Sequence, residues 1–233
     1  MKSAPPMDVI IPFHDRHDLL LRCLEALSRN ARKRGHVYLV DDGSPHQPHG
    51  DTRRAIEDLR LPLRRLTLER RRGFVDAVNH AWRYCDQPLT LILNNDVVVM
   101  ADLVAGLTAC LTADERLVAV APASDNPTDL FQYRATPHAS GLTFVPYLTA
   151  MCLAVRRKAI GAGQLFDPVY APGYFEDFDL SCRLRADGGK LGVFEDCRVH
   201  HTGKATFRHD RSLSAYLTRN YRTFAARWGH LAS

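Results

Sequence analysis

The sequence predicts an α/β protein with a mostly parallel sheet flanked by helices. Two observations support this prediction. Short, continuous apolar runs rich in β-branched residues indicate buried strands, and segments of helical periodicity alternate with them. Such alternation is typical of strand–helix–strand units whose strands lie parallel and are covered on both faces. The length and the absence of internal repeats predict one domain spanning residues 1–233.

The first half of the chain, about residues 1–122, alternates regularly. Strands are predicted at the short apolar runs, namely 7–13, 36–42, 63–69, 88–96 and 117–124. Helices are predicted at the segments with helical apolar spacing, namely 18–31, 52–60, 73–85 and 101–111. This half therefore has the order expected of a parallel, nucleotide-binding sheet.

The second half, about residues 123–233, is less regular. Residues 125–146 are polar, contain three prolines and predict a loop or a small antiparallel excursion that could face a ligand. The remaining predictions are a strand and short helix over 147–163, a glycine-closed helix over 176–189, one or two short strands over 190–201, and an amphipathic helix over 211–229.

Charge and composition limit the functional classes. A formal net charge of +5 favours an anionic partner such as a phosphate-bearing ligand. No recognition motif accompanies the basic clusters, so no nucleic-acid partner is expected. The amino-terminal residues do not resemble a signal peptide, and no apolar run approaches the roughly 20 residues of a membrane span. We therefore expect a cytoplasmic protein, with peripheral contact at the inner membrane face left open.

Acidic residues follow two of the predicted strands. Asp41 and Asp42 close one, and Asn94, Asn95 and Asp96 close another. In open parallel sheets, ligands bind beyond the carboxyl ends of the strands, where a carboxylate can accept a hydrogen bond from a base or bind a hard cation. Either group alone is equally typical of a turn or a helix cap. Together on one sheet they favour a metal–nucleotide site.

The segment Gly173–Leu184 sets three carboxylates among aromatic and aliphatic residues. Glu176 and Asp177 fit the first turn of a helix, whose dipole favours acids, but also fit a metal site or a catalytic base. Asp179 and Arg183 have i,i+4 spacing, which predicts a structural ion pair.

Cysteine and histidine spacing adds two further expectations. The six cysteines form no C-x-x-C pair, which favours free thiols over a zinc or redox motif. His200 and His201 are adjacent on a predicted strand, so their side chains should point to opposite faces and only one should face a site.

Six segments of the chain form an ordered set: "VIIPFHDR", "VYLVDDGS", "RRGFVDAVNHAW", "LILNNDVVV", "GYFEDFDLSCRLRADGGKLGVFEDCRVHHTGKAT" and "YLTRNYRTFAARWG". Taken in this order, they resemble family 2 glycosyltransferases of the GT-A fold, and more narrowly their rhamnosyltransferase-like members. The sequence departs from the family pattern at residues 13–15, at Arg71 and at Lys204. The resemblance spans nearly the whole chain and implies a Rossmann-like GT-A domain with a nucleotide-sugar half and an acceptor half.

The resemblance also implies roles for individual residues. Asp177 would be the catalytic base, with Glu176 beside it, and Asp96 and His201 would hold a divalent metal, Mg²⁺ or Mn²⁺. Asp42 would bind the nucleotide base. The full set of implied nucleotide-binding residues is Pro12, Phe13, Asp41, Asp42, Gly73, Asn94 and Asn95.

The implied activity is inverting transfer of a hexose from a dTDP-, UDP- or GDP-linked donor to a hydroxyl of a glycan, glycolipid or protein acceptor. A cation would stabilise the leaving diphosphate, and a carboxylate would accept the proton of the acceptor. One alternative is a nucleotide-sugar-binding module without catalysis. Another is a sugar-phosphate nucleotidyltransferase, which would need a glycine-rich loop after the first strand that "PFHDRHD" does not provide.

Overall fold

The computed structural model describes residues 5–30, 34–100, 102–135, 140–203 and 213–229. Its strands are β1 (Met7–Phe13), β2 (Arg34–Asp41), β3 (Leu63–Thr67), β4 (Leu89–Leu93), β5 (Val97–Val99), β6 (Leu117–Ser124), β7 (Leu142–Phe144), β8 (Cys152–Arg156) and β9 (Lys190–His201). Its α-helices are α1 (His17–Asn30), α2 (Gly50–Asp58), α3 (Phe74–Trp82), α4 (Leu103–Ala113), α5 (Arg157–Ile160), α6 (Glu176–Ala186) and α7 (Leu213–Trp228).

These strands form one sheet in the order β3-β2-β1-β4-β8-β6-β9-β5, with β7 paired to β9. The strands from β3 to β4 are parallel, whereas β8 lies antiparallel to both β4 and β6. The predicted α/β fold with a central sheet is confirmed. Every antiparallel pair includes β8 or β9, which both lie in the second half. The described residues between β6 and β8 include no α-helix, and antiparallel strands need no helical crossover.

Both faces of the sheet are buried, which explains the continuous apolar runs in the sequence. Successive side chains of a strand point to opposite faces. Val9 and Ile11 accordingly pack in one core with α1 and α4, and Ile10 packs in the other with α3. Within the described ranges, the helices include none long and apolar enough to cross a membrane. All six cysteines are free thiols, as predicted.

Two short features of the sheet differ from the predicted elements. The predicted strand at 88–96 ends at Leu93, and β5 follows after a turn through Asn94–Asp96. Residues 190–201 form one long strand, whose pairing with β6 shifts register between Phe194 and Arg198. The shift marks a bulge that redirects the end of β9 towards β5. As a result Val97 pairs with His201, and Asp96 lies beside the end of β9.

Candidate active site

A pocket of about 400 Å³ opens at the carboxyl ends of β1, β2 and β4. It gathers nearly all the site residues that the sequence predicts, from both halves of the chain. Those that line it are Pro12, Phe13, Asp42, Gly73, Asn94, Asn95, Asp96, Glu176, Asp177 and His201.

Asp41 does not line this pocket. It borders a second cavity of about 360 Å³ near α1 and α2, and its Oδ1 accepts a hydrogen bond from the Ser44 amide at 2.8 Å. Asp41 and Asp42 are adjacent at the end of a strand, so their side chains point to opposite faces. The structure therefore places only Asp42 with the other candidates.

The Asp42 carboxylate is 5% exposed and organises the loop before α3. It accepts hydrogen bonds from the amides of Arg72 at 2.7 Å and Gly73 at 2.8 Å. Burial raises the pKa of Asp42, while these two hydrogen bonds oppose the increase. Gly73 has φ = 94°, and a Cβ there would clash with Pro172. A glycine is thus required where the Asp42 loop contacts the loop that leads to α6.

Asp96 and His201 have the spacing expected of two ligands to one divalent ion. His201 Nε2 lies 3.4 Å from Asp96 Oδ1, and both side chains are at most 9% exposed. Ligands that share a cation lie roughly 3–3.5 Å apart when each bond is about 2.0–2.2 Å. Asn94 Oδ1 is also buried and has no hydrogen-bond partner among the described residues, so it could supply a further oxygen. The donor set therefore fits Mg²⁺ or Mn²⁺.

His201, and not His200, faces the pocket. His200 is 57% exposed, and its Nδ1 lies 2.6 Å from Asp125 Oδ2. Burial lowers the pKa of His201, but the hydrogen bonds and charges of Asp129 and Asp96 outweigh this effect and raise it to about 9.

Glu176 and Asp177 begin α6 directly after two residues in the left-handed region. Tyr174 has φ = 72° and Phe175 has φ = 71°, a conformation that is uncommon for bulky residues and occurs often at functional sites. The segment therefore both starts α6 and lines the pocket. For this reason the sequence alone fits a helix start as well as a functional site.

The Asp177 carboxylate is held in one orientation. Its Oδ1 accepts from the Phe178 amide at 2.9 Å, and its Oδ2 accepts from the Ala150 amide at 3.3 Å. Part of the residue faces the pocket, but protein surrounds the carboxyl group, and this desolvation raises its pKa to about 6. Desolvation and the neighbouring Asp177 raise the pKa of Glu176 well above its ordinary value.

Asp179 is a structural residue, as its spacing predicts. It is fully buried and accepts from Arg183 Nε at 2.8 Å. It also accepts from Arg227 Nη1 and Trp228 Nε1, each at 2.9 Å, and both donors lie on α7. The third acid of the segment thus fastens α7 to α6.

A second buried contact from α7 holds the loop before α6. The Asn220 side chain is fully buried, and its Nδ2 donates to the carbonyls of Tyr170 at 2.7 Å, Gly173 at 2.8 Å and Tyr174 at 3.0 Å. These carbonyls belong to the segment that carries Glu176 into the pocket. These hydrogen bonds let α7 position the segment 170–177, although only Leu217 of α7 lines the pocket.

Asp129 is a carboxylate of the pocket that the sequence analysis missed. It lies in a 3₁₀ turn, Pro127–Gln132, within the stretch predicted as a loop. Its carboxylate contacts His201 inside the pocket. No periodic pattern or strand end marks it in the sequence.

A separate group of possible metal ligands lies at the opposite edge of the sheet. Atoms of Asp8, His36 and Asp86 lie within 4.8 Å of one another. Asp8 is near the start of β1, roughly 16 Å from Phe13 at about 3.3 Å per residue. Its carboxylate already accepts three backbone N–H bonds, and Arg64 Nη2 lies 3.4 Å from His36 Nε2. These contacts account for the burial of the Asp8 carboxylate, so a cation is not needed to explain it.

Comparison with known proteins gives a family match. A family model described as "Glycosyl transferase family 2" matches residues 8–166, more than half of the chain. The match ends before Glu176, so it includes Asp42 and Asp96 but neither Asp177 nor His201. No functionally curated protein matches the sequence.

Solved structures share the fold at low sequence identity. GalNAc-T7 with UDP, GalNAc and Mn²⁺ has a TM-score of 0.71 and 18% identity, covering 86% of this chain and 44% of that chain. Mannosyltransferase PcManGT from Pyrobaculum calidifontis, in complex with GDP-Man and Mn²⁺, has a TM-score of 0.69 and 19% identity, covering 97% and 65%. S. aureus TarS 1-349 has a TM-score of 0.61 and 16% identity, covering 84% and 60%. The chain thus spans less than two thirds of each of these structures.

Proposed function

Because the chain belongs to glycosyl transferase family 2, we propose that it transfers a sugar from a nucleotide-diphosphate donor to a hydroxyl group of an acceptor, with inversion. One observation carries the proposal. A single pocket joins Asp96 and His201, which have the spacing of metal ligands, to Asp177, a carboxylate with a pKa of about 6. The similar folds of GalNAc-T7 with UDP and Mn²⁺, and of PcManGT with GDP-Man and Mn²⁺, support it.

The donor would bind at the carboxyl ends of β1, β2 and β4. Asp42 would accept from the base, because each of its oxygens keeps a lone pair beyond its backbone hydrogen bond. Asp96 and His201 would hold Mg²⁺ or Mn²⁺, with Asn94 Oδ1 as a further ligand. When bound, such an ion stabilises negative charge on the leaving diphosphate. The other proposed nucleotide contacts are Pro12, Phe13, Gly73 and Asn95.

Asp177 would take the proton of the acceptor hydroxyl as that oxygen attacks the anomeric carbon. A general base works best with a pKa near the operating pH, and a pKa of about 6 makes Asp177 a stronger base than an exposed aspartate. Its two backbone hydrogen bonds keep the carboxylate in place while it accepts the proton. The new C–O bond would form on the face opposite the nucleoside diphosphate as the bond from the anomeric carbon to the diphosphate breaks, and this single displacement gives inversion.

The donor and acceptor are the finer part of the proposal. The motif order resembles the rhamnosyltransferase-like subgroup, so dTDP-rhamnose is the first donor to test, followed by UDP- and GDP-linked hexoses. The acceptor would be a glycan, glycolipid or protein. The exposed arginines at 64, 65 and 70–72 would favour peripheral contact with an anionic membrane that carries a lipid-linked acceptor.

Donor hydrolysis tests the proposal without a known acceptor. We expect release of the nucleoside diphosphate to require Mn²⁺, to stop with EDTA, and to fall about 10²–10⁴-fold in Asp177→Asn. Asp187→Asn, at an exposed acid just after α6, is the matched control and should keep wild-type turnover. Metal-dependent donor binding without turnover would instead favour a binding module. Wild-type turnover in a folded Asp177→Asn variant would refute the base assignment.

A further inference from the structure

The two ring nitrogens of His201 face two different carboxylates. Nε2 lies 3.4 Å from Asp96 Oδ1, and Nδ1 lies 2.9 Å from Asp129 Oδ1 and 3.0 Å from Asp129 Oδ2. An ionised carboxylate only accepts hydrogen bonds, so Nδ1 carries a hydrogen and donates it to Asp129. Nε2 faces Asp96 and is therefore the nitrogen that can bind a cation, which would displace the hydrogen that Nε2 carries in the metal-free protein.

The backbone around Asp129 is built to hold that carboxylate. Ser124, the last residue of β6, donates its hydroxyl hydrogen to Asp129 Oδ2. Asn126 caps the turn by accepting from the Thr128 amide at 2.9 Å. Leu130, the next residue, has φ = 39° and ψ = −107°, a strained conformation for a residue other than glycine. The strain is confined to the residue that follows Asp129.

The same segment is also fastened to the backbone of His201. Asn126 Nδ2 donates to the His201 carbonyl at 2.9 Å. The Asp129 side chain is 4% exposed and that of His201 is 9% exposed, so solvent competes little for their hydrogen bond. Backbone and side chain of His201 are therefore both fixed by one turn.

We propose that Asp129 is a positioning residue for the metal site, which fixes the Nδ1–H tautomer and the ring orientation of His201 so that Nε2 is aimed at the cation beside Asp96. This inference rests on the function proposed above. Carboxylates that accept the second N–H of a metal-binding histidine orient the ring and raise its basicity, and their loss typically costs about 10–100-fold in metal affinity. Asp129 would thus affect the cation only through His201.

The neighbouring pair Asp125–His200 provides a matched control. It is also an aspartate contacting a histidine Nδ1, at 2.6 Å, but it is exposed and lies outside the pocket. Asp125 Oδ1 also accepts from the His201 backbone amide at 3.1 Å, and the amide oxygen of Asp125→Asn can keep this hydrogen bond. Asp125→Asn therefore makes the same chemical change within the same segment without removing a contact of the His201 ring.

Mn²⁺ affinity is the first measurement, made by following the EPR signal of free Mn²⁺ during titration of the full chain. We expect Asp129→Ala to bind Mn²⁺ about 10–100-fold more weakly than wild type. Asp129→Asn should lose less, because its amide oxygen can still accept from Nδ1–H, and Asp125→Asn should stay within about twofold of wild type. Circular dichroism and melting temperature check folding, and Asp129→Asn keeps the test available if the alanine variant unfolds.

The second measurement is spectroscopic and separates positioning from general stability. At saturating Mn²⁺, electron spin-echo modulation from a bound imidazole nitrogen should be present in wild type, absent in His201→Ala and weakened in Asp129→Ala. Wild-type Mn²⁺ affinity and nitrogen modulation in both Asp129 variants, with binding lost in Asp96→Asn, would overturn this inference alone. A wild-type chain without any Mn²⁺ binding would overturn the proposed metal site and this inference with it.

Discussion

At the scale of single residues, the Asp177 carboxyl group should set the lower pH limit of activity. A general base must be ionised, so kcat/KM for donor hydrolysis should be constant above pH 7 and fall tenfold per pH unit below about 6. The profile should be measured at saturating Mn²⁺, so that protons do not compete with metal at His201. An inflection that moves with Mn²⁺ concentration would assign the decrease to His201 instead.

Glu176 should destabilise the fold at neutral pH. Its pKa is raised in the folded state, so the unfolded chain ionises first as pH rises, and the free energy of unfolding falls from about pH 4.3 upwards. Its Oε2 is buried and has no hydrogen-bond partner among the described residues. Glu176→Gln removes this pH-dependent cost.

We therefore expect Glu176→Gln to raise the melting temperature at pH 8 by a few degrees and by less at pH 5, since about 1 kcal/mol corresponds to roughly 2–4 °C in a protein of this size. Glu69→Gln, at an exposed acid, is the control and should change neither value. A melting temperature at pH 8 that is equal to or below wild type would contradict the expectation.

Single residues differ in how far the sequence could predict them. Asp42 and Asp96 follow buried strands, so strand-end geometry alone predicts that they lie at the same edge of the sheet. Position at a strand end does not distinguish Asp41 from Asp42. Their side chains point to opposite faces of the sheet, and an error of one residue in the predicted strand would exchange the two faces. Asp129 depends on a strained turn and on contacts with β9, which no local pattern encodes.

At the scale of elements, α7 should position the segment 170–177, which carries the proposed base Asp177, through Asn220. Asn220→Ala removes the donors to the loop carbonyls at Tyr170, Gly173 and Tyr174, and leaving buried carbonyls without partners costs about 1–3 kcal/mol. We expect a lower melting temperature and slower donor hydrolysis, with Mn²⁺ affinity close to wild type because Asp96 and His201 lie on other elements.

Asn220→Asp is the sharper version of this test. It keeps the shape but points a carboxylate at three carbonyl oxygens, so it should impair folding and turnover more than alanine does. Arg222→Ala, exposed on the same helix, should behave as wild type. Equal activity of Asn220→Asp and wild type would show that the loop does not need α7.

Elements whose own sequence is periodic could be predicted, whereas elements that form only through pairing with another strand could not. β1 and α3 follow directly from apolar spacing and burial. β5 has only three residues and exists because β9 bends towards it, and the bulge in β9 is a property of its pairing with β6. Both features place Asp96 beside His201, so the geometry of the proposed metal site was the part that local sequence could not predict.

At the scale of the whole molecule, the pocket is assembled from residues as distant in sequence as Pro12 and His201. Asp42 is connected to the segment 170–177 through Gly73 and Pro172, so the two halves of the chain meet at the pocket where the donor is proposed to bind. A ligand bound there contacts both halves in the folded state only, and its binding free energy should appear directly as global stability.

We therefore expect a nucleoside diphosphate with Mn²⁺ to raise the melting temperature, and neither component alone to do so fully. At about 100 times Kd the stabilisation is about 2.7 kcal/mol, or roughly 5–10 °C for a chain of this size. Comparing dTDP, UDP and GDP identifies the base.

Asp42→Ala should reduce the increase in melting temperature at a fixed ligand concentration. Asp41→Ala should keep it, because the Asp41 side chain faces the second cavity. Equal losses in both variants would mean that the nucleotide does not use the pocket that Asp42 lines. An increase in melting temperature that persists in EDTA would show that nucleotide binding does not depend on a metal at Asp96 and His201. The donor would then be held by the Asp42 side of the pocket alone.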